Sequence, residues 1–443
     1  MRILPAIVPG KRPTINSDDR QDGDGCAGGK PLTEKDILCL SHLQRAFVLL
    51  DRLHEVGCGR DKAGNRELFF DDYCKLVLLH TWNPLIQSVQ DLQQVVGLDK
   101  VAKALGVKRF SSGSFSESVR VFEPEKLKPI IAELAGQLTP APGDPRLASL
   151  GHVLTLVDGT VLRALERLTK AAVGIAGRYS TSRDGRAVYG WRLHTQLDLQ
   201  SLLPHRMDRT GARNGGANRE SNVLRRTLEA GRCYVADGGY ADRTLFGDIE
   251  KTGSSFVIRT REDAVNDVVE ERLLSEEALA AGIVRDALVS FQGDQEQTPY
   301  VIRRVEIEVR PHERRVRGGF KQSDLIVMYS SLRDLEPELV AAIYRYRYTV
   351  ELFFRILKQL LGMRHLISQR EEGIDIQICC AVIICILIQL ISGKRPNKAM
   401  RNMIGWYLLG LASQEEVIAF LNKPDNTGVK LRAKDELWKK WGV

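Results

Sequence analysis

Four side chains late in the chain have types and spacing suited to phosphate chemistry. Within YRYRYTVELFFRILKQLLGM, Tyr344, Arg347, Glu351 and Lys358 are separated by two, three and six residues. On a helix turning 100° per residue they fall within an arc of about 60°. A phenol, a guanidinium, a carboxylate and an ammonium then share one narrow face. Val350, Leu352, Phe353, Ile356, Leu357, Leu360 and Leu361 make most of the remaining surface apolar. A carboxylate so placed is a candidate metal ligand, and the flanking cations suit a phosphate backbone. The alternative is an ordinary ion-paired helix in which Arg347 and Glu351 form an i,i+4 pair.

Two further carboxylates lie upstream in matching contexts. In GHVLTLVDGT (151–160) an apolar run from His152 to Val157 ends at Asp158 and Gly159. This predicts a buried strand delivering a carboxylate at its C-terminal edge, where open α/β sheets place their sites. In RCYVADGGYAD (232–242) the strand Cys233 to Ala236 ends at Asp237, and Gly238–Gly239 turn the chain. Each aspartate alone also reads as the cap of a following helix.

Written as Y-x2-R-x3-E-x6-K, the late motif resembles the signature of the insertion-sequence-four family of DDE transposases. The resemblance covers roughly 75–395 and is strongest over 150–260 and 340–370. It implies an α/β fold with a ribonuclease H-like catalytic core interrupted by a β-rich insertion, and an N-terminal helical domain. It implies that Asp158, Asp237 and Glu351 are the catalytic, metal-binding residues, with two Mg²⁺ or Mn²⁺ ions and Asp158 bridging them. Hard ions of this kind take oxygen ligands, and a pair of them serves both the attacking and the leaving oxygen of a phosphodiester. Tyr344, Arg347 and Lys358 become DNA contacts. The implied partner is double-stranded DNA, both terminal inverted repeats and target, bound by a dimer in the end complex. The implied location is the cytoplasm of a prokaryote, on chromosomal or plasmid DNA. One departure stands out: relatives carry Asp-Arg-Gly-Tyr at the second motif, and here Gly238 replaces the arginine.

The rest of the chain fits a globular nucleic-acid partner. Of 443 residues 43% are hydrophobic and 27% charged, with a net charge of +8. A basic balance favours an acidic partner. The eight cysteines form no CxxC pair and no Cys/His zinc spacing. Cys233, Cys379, Cys380 and Cys385 sit in apolar runs, which predicts buried free thiols in a reducing cytoplasm. The start, MRILPAIVPGKRP, lacks the apolar core of a signal peptide. One run, 374–391, is long and apolar enough to cross a membrane, but Asp375, Gln377 and Gln389 make it a buried core helix, so no membrane partner is expected.

Composition divides the chain into six stretches. Residues 1–30 are polar and glycine-rich and read as disordered; 31–147 read as helical and DNA-binding. Within the latter, 101–122 predicts two short helices around Gly106, the second capped by Ser114 with Glu117. A helix-turn-helix and a capped helical pair both remain open there. Residues 148–261 form the first part of the core; 262–333 the β-rich insertion; 334–395 the second part with the glutamate helix; 396–443 a helical end. Strands are expected at 190–200, with Arg192, His194, Gln196 and Asp198 on a wet face, and at 254–261, 283–291, 299–310 and 323–332. The insertion carries a basic hairpin with Arg310, Arg314, Arg315, Arg317 and Lys321, either solvated or gripping DNA. It has no tryptophan, so Phe291, Tyr300 or Phe320 is left to stack a flipped base. Two rivals to the transposase expectation remain: a metal-dependent nuclease that cuts without joining, and an idle transposase-derived DNA-binding protein.

Overall fold

A computed structural model describes residues 40–423, apart from 63, 65, 84, 141–143, 164–176, 182–186, 213–214, 265, 292–299, 309–324, 362–366, 369 and 395. The polar stretch 1–30, the basic hairpin with Arg310, Arg314, Arg315, Arg317 and Lys321, and Phe320 therefore lie outside the described residues.

The N-terminal part is helical: α1 (Leu40–Leu50), α2 (Phe70–Trp82), α3 (Val89–Val96), α4 (Asp99–Leu105), α5 (Ser112–Ser118) and α6 (Leu127–Ala135). Gly106 ends α4 in the left-handed region at φ 70°, the conformation a helix C-terminus favours for glycine. The cap of α5 is Ser111, which accepts from the Ser114 amide, and not Ser114 as the Ser–Glu spacing predicts. A second serine three residues earlier offers the same hydroxyl, and it is the one that caps.

A ten-stranded sheet follows in the order β2-β3-β1-β5-β6-β10-β9-β8-β7, with β4 also paired to β3. Its strands are β1 (Val153–Arg163), β2 (Gly177–Thr181), β3 (Ala187–Asp198), β4 (Leu203–Gly211), β5 (Arg232–Ala236), β6 (Ser255–Thr260), β7 (Asp267–Glu271), β8 (Ile283–Ser290), β9 (Val301–Glu308) and β10 (Leu325–Ser330). The strand β3 pairs antiparallel with β1, β2 and β4, whereas β1–β5 and β5–β6 are parallel. The crossovers run through α7 (Glu220–Arg225) and α8 (Arg243–Lys251). After the short α9 (Glu276–Ala280), the strands of the 262–333 segment extend this same sheet from β6.

Two expectations about the strands fail. The first strand does not stop at Asp158; it runs on to Arg163, because β3 supplies antiparallel partners as far as Gly190. The polar alternation on β3 is not a wet face either: His194 and Gln196 are buried. One polar atom of each is met by another protein group, His194 Nε2 by Thr210 Oγ1 at 2.9 Å and Gln196 Nε2 donating to Thr227 Oγ1 at 2.7 Å.

Alternate residues serve opposite faces. Leu154, Leu156, Cys233, Val235 and Val257 enter the larger core, shared with the N-terminal helices. Val157, Tyr234, Ala236, Phe256 and Ile258 enter a second core against α8. Over the first face lie α10 (Pro337–Arg345), α11 (Tyr348–Leu360) and α12 (Glu371–Ser392). The last two helices are α13 (Lys398–Leu408) and α14 (Gln414–Asn422). The apolar run 374–391 is α12, apolar on every side, and it packs against α2, α6 and α11 with 83% of its most apolar window buried. The six described cysteines are free thiols.

Candidate active site

Asp158 and Asp237 are brought side by side by strand register. The parallel β1–β5 ladder pairs Leu156 with Val235. Two residues further on, each chain presents its aspartate with the same parity, on the face covered by α10 and α11. Asp158 accepts a hydrogen bond from the Gly159 amide at 2.7 Å, and Asp237 from the Gly239 amide at 2.9 Å. Asp237 is also the cap of the short turn Gly238–Tyr240, so the helix-cap and site readings of this residue both apply. Burial first, and then the charge of Asp237, push the Asp158 carboxyl up to about 7.

The third acid arrives on α11, which packs against β1. The single helix expected over Tyr344–Lys358 is instead two. Tyr344 ends α10, and Glu351 and Lys358 ride on α11. At the junction the amides of Tyr346, Arg347, Thr349 and Val350 each bond three residues back, not four. This tighter turn leaves the backbone helical at Tyr346 and Arg347, so the polar residues still converge.

Arg347 is the hub. It donates to Glu351 Oε1 at 2.5 Å, lies 3.6 Å from Asp158 Oδ2, and covers the Tyr344 ring at 6.0 Å from its centroid. Burial opposes its charge, but Tyr344, Glu351 and Asp158 outweigh that and hold its pKa above the ordinary value. Burial raises the Tyr344 phenol, with Arg347 and Arg259 pulling the other way. Lys358 lies two turns beyond Glu351, half-buried in the last turn of α11.

Among the described residues only His54, Asp71 and Asp72 bring three possible ligand atoms within 4.8 Å of one another. That cluster already holds the Lys75 ammonium, 3.0 Å from Asp71 and 3.6 Å from Asp72. In the Asp158 site, Arg347 stands between Asp158 and Glu351. The donor set nevertheless suits a divalent ion: carboxylate oxygens, one of them with its pKa raised to about 7 by burial and then by the charge of its neighbour Asp237.

Residues 149–388, more than half of the chain, match the family model of the transposase DDE domain. The chain belongs to this transposase family. A protein of Sinorhizobium fredii (strain NBRC 101917 / NGR234) named as a candidate transposase, y4zB, is 25% identical over 206 residues, 46% of this chain and 54% of that protein. The match thus spans about half the length of that relative. The cryo-EM synaptic complex of piggyBac transposase with hairpin DNA aligns over 88% of this chain and 82% of that one, at 12% identity and a TM-score of 0.39. DDE transposases act on DNA and generally use divalent metal ions.

Around the transposase site, three residues had no motif to announce them. Arg259 continues the β5–β6 register, in which Ala236 pairs with Ile258, and so lies abreast of Asp237. It is exposed, and its charge acts on Tyr344. Glu220, buried, and Arg192, partly buried, form an ion pair on the opposite face of the sheet. The small residues beside both aspartates are the one signal that something approaches closely there. Of the stacking candidates, Phe291 and Tyr300 are partly buried against the second core, their rings 6.5 Å apart.

Proposed function

We propose that this chain is a cut-and-paste DNA transposase of the insertion-sequence-four type, with a ribonuclease H-like core and Asp158, Asp237 and Glu351 as its metal ligands. The observation that carries the reading is the joining of Asp158 from β1 and Glu351 from α11 through the Arg347 guanidinium, with Asp237 set beside Asp158 by the β1–β5 register. Three antiparallel strands followed by helix, strand, helix and strand in parallel match the ribonuclease H-like plan.

Two Mg²⁺ or Mn²⁺ ions bound there would activate the attacking oxygen and stabilise the leaving oxygen of a phosphodiester. The chain's own residues do the rest. The Gly159 and Gly239 amides each fix one oxygen of an aspartate, leaving the other oxygen to face the ligand. Arg347, already desolvated, holds a phosphate oxygen beside Asp158 and Glu351, and Tyr344 donates to the same strand. Lys358 holds a phosphate further along. Arg259 supplies, from β6, the guanidinium that relatives carry at position 238. This removes the reason to read the site as idle.

The exposed Lys103, Lys108, Arg109 and Arg120 support a DNA-reading role for 31–147. Arg310, Arg314, Arg315, Arg317 and Lys321 are assigned to gripping DNA next to the site, and a dimer to the end complex. Replacing those five with Ser or Gln should lower end-complex formation more than nicking of a short duplex. Joining distinguishes a transposase from a nuclease: pre-cleaved ends should be transferred into a target plasmid.

The test of the ligand set is Asp158→Asn, Asp237→Asn and Glu351→Gln. Each removes a metal charge at nearly constant volume, so each should abolish cleavage in Mg²⁺ while end binding persists. Near-normal cleavage by any one removes that residue from the set.

A further inference from the structure

Behind the two aspartates, on the other face of the sheet, lies a fourth carboxylate. Glu220 opens α7 and is 8% exposed. Arg192, from β3, donates to its Oε1. Its two oxygens abut two glycines. A Cβ on Gly159 would stand 2.6 Å from Glu220 Oε1, and one on Gly239 2.7 Å from Oε2 and 3.1 Å from Asp237 Oδ1. These are the same two glycines whose amides hold Asp158 and Asp237. By contrast, a Cβ on Gly238 would meet nothing nearer than the Arg259 carbonyl at 3.7 Å, an ordinary contact.

We propose that Glu220 is a positioning residue of the metal centre: its carboxylate, held by Arg192, backs the Gly159 and Gly239 amides and thereby sets the separation of Asp158 and Asp237. The inference rests on the metal-ligand reading of those aspartates. The surroundings favour a fixed part over a loose one. A cavity of about 10 Å³ next to Glu220 is lined also by His194, Gln196 and Tyr240. The Tyr240 hydroxyl is fully buried and has no hydrogen-bond partner among the described residues. Burial, then the nearby Glu220, Asp158 and Asp237 charges, hold that phenol neutral well above its usual range, while burial and Arg192 push His194 down to about 4. Glu220 and Arg192 are therefore a charged couple beside neutral buried groups.

Metal binding to the full chain can be followed without turnover, by the loss of the free Mn²⁺ electron paramagnetic resonance signal during titration. Glu220→Gln should weaken Mn²⁺ binding about tenfold, the size seen when groups behind a metal ligand are changed. In a plasmid-nicking assay kcat should fall at least as far, with KM for DNA and Tm close to the parent's. Arg192→Gln combined with Glu220→Gln keeps a neutral hydrogen-bonded pair and covers the case in which an unpaired arginine prevents folding; the same loss is expected. Gly239→Ala should also lose Mn²⁺ affinity, and adding Glu220→Asp, which withdraws the carboxylate by one methylene, should restore part of it. Parent-like Mn²⁺ affinity and kcat in both glutamine variants would overturn the inference, as would a fall in DNA binding and Tm equal to the fall in metal affinity. A parent that binds no Mn²⁺, or an Asp158→Asn variant that binds it fully, would defeat the ligand reading itself.

Discussion

Asp158 and Asp237 carry the same side chain, precede a glycine, and stand abreast on neighbouring strands, yet they inhabit different regions. Asp158 sits inside a strand that continues for five more residues, its side chain 17% exposed and touched by Arg347. Asp237 stands where β5 ends, capping a turn. The first is a desolvated acid dependent on neighbouring charge; the second is a turn residue whose backbone partner already suits its anion. The two acids of this candidate site thus sit in different surroundings, one desolvated by burial and the other held by a local backbone hydrogen bond.

The sharpest way to break this contrast is to remove the guanidinium that touches Asp158. Arg347→Ala should lower cleavage about 100-fold or more, the scale for losing a positioned charge at a phosphoryl site, with a shallower salt dependence of DNA binding. Lys358→Ala should show the same sign and a smaller loss. An unchanged salt slope in both would leave only a structural ion pair.

A second measurement uses protons. With the Asp158 carboxyl at about 7, binding of Mn²⁺ should weaken nearly tenfold per unit as pH falls below that value, because the ion must displace the proton. Asp158→Asn should therefore flatten the profile in addition to lowering affinity. A slope that persists in that variant assigns the proton elsewhere.

Stability should separate the two residues with opposite signs from those of activity. The folded Asp158 pKa of about 7 exceeds its ordinary 3.8, so the native state holds an extra proton between those values. Stability of the metal-free protein therefore falls as pH rises through this window and stays lower above it. Asp158→Asn removes that cost and should raise Tm by about 2–4 °C at pH 8. Asp237→Asn should leave Tm nearly unchanged, because asparagine caps as well as aspartate does. Calorimetry without metal checks both.

The smallest effect is expected at Gly238. Restoring the family's arginine there meets no steric obstacle and duplicates the cation already offered by Arg259, so Gly238→Arg should change cleavage by less than about threefold, the modest scale of an exposed substitution. A large gain would show that Arg259 does not replace it.

The sequence makes some of this arrangement readable and hides the rest for definable reasons. Apolar runs closed by Asp-Gly marked β1 and β5, because a buried parallel strand is continuously apolar and a site at its end needs a small neighbour. The glutamate helix was readable from its stripe, but its break was not. The backbone stays helical through Tyr346 and Arg347, and only the hydrogen-bond span changes. The supposed wet face of β3 misled because polar alternation looks the same whether water or protein answers it. Here Thr210, Thr227 and Glu220 answer it from β4 and the α7 region. Glu220 lies in GGANRESNVL with no spacing to distinguish it. Its place is set by contacts with β1, β3 and the β5 turn, and those exist only once the sheet has formed.

The long apolar helix α12 has a consequence for how the chain is made. Its Cys380 thiol meets the Cys74 carbonyl of α2, 306 residues earlier. A ribosome delivers those two partners about 15–60 s apart at ordinary elongation rates. Throughout that interval the apolar side of α2 has emerged and its cover has not. Until α12 emerges, the nascent chain therefore carries an uncovered apolar surface of the kind that favours aggregation. A product ending before α12 would keep the N-terminal helices and lose the surface that makes them soluble.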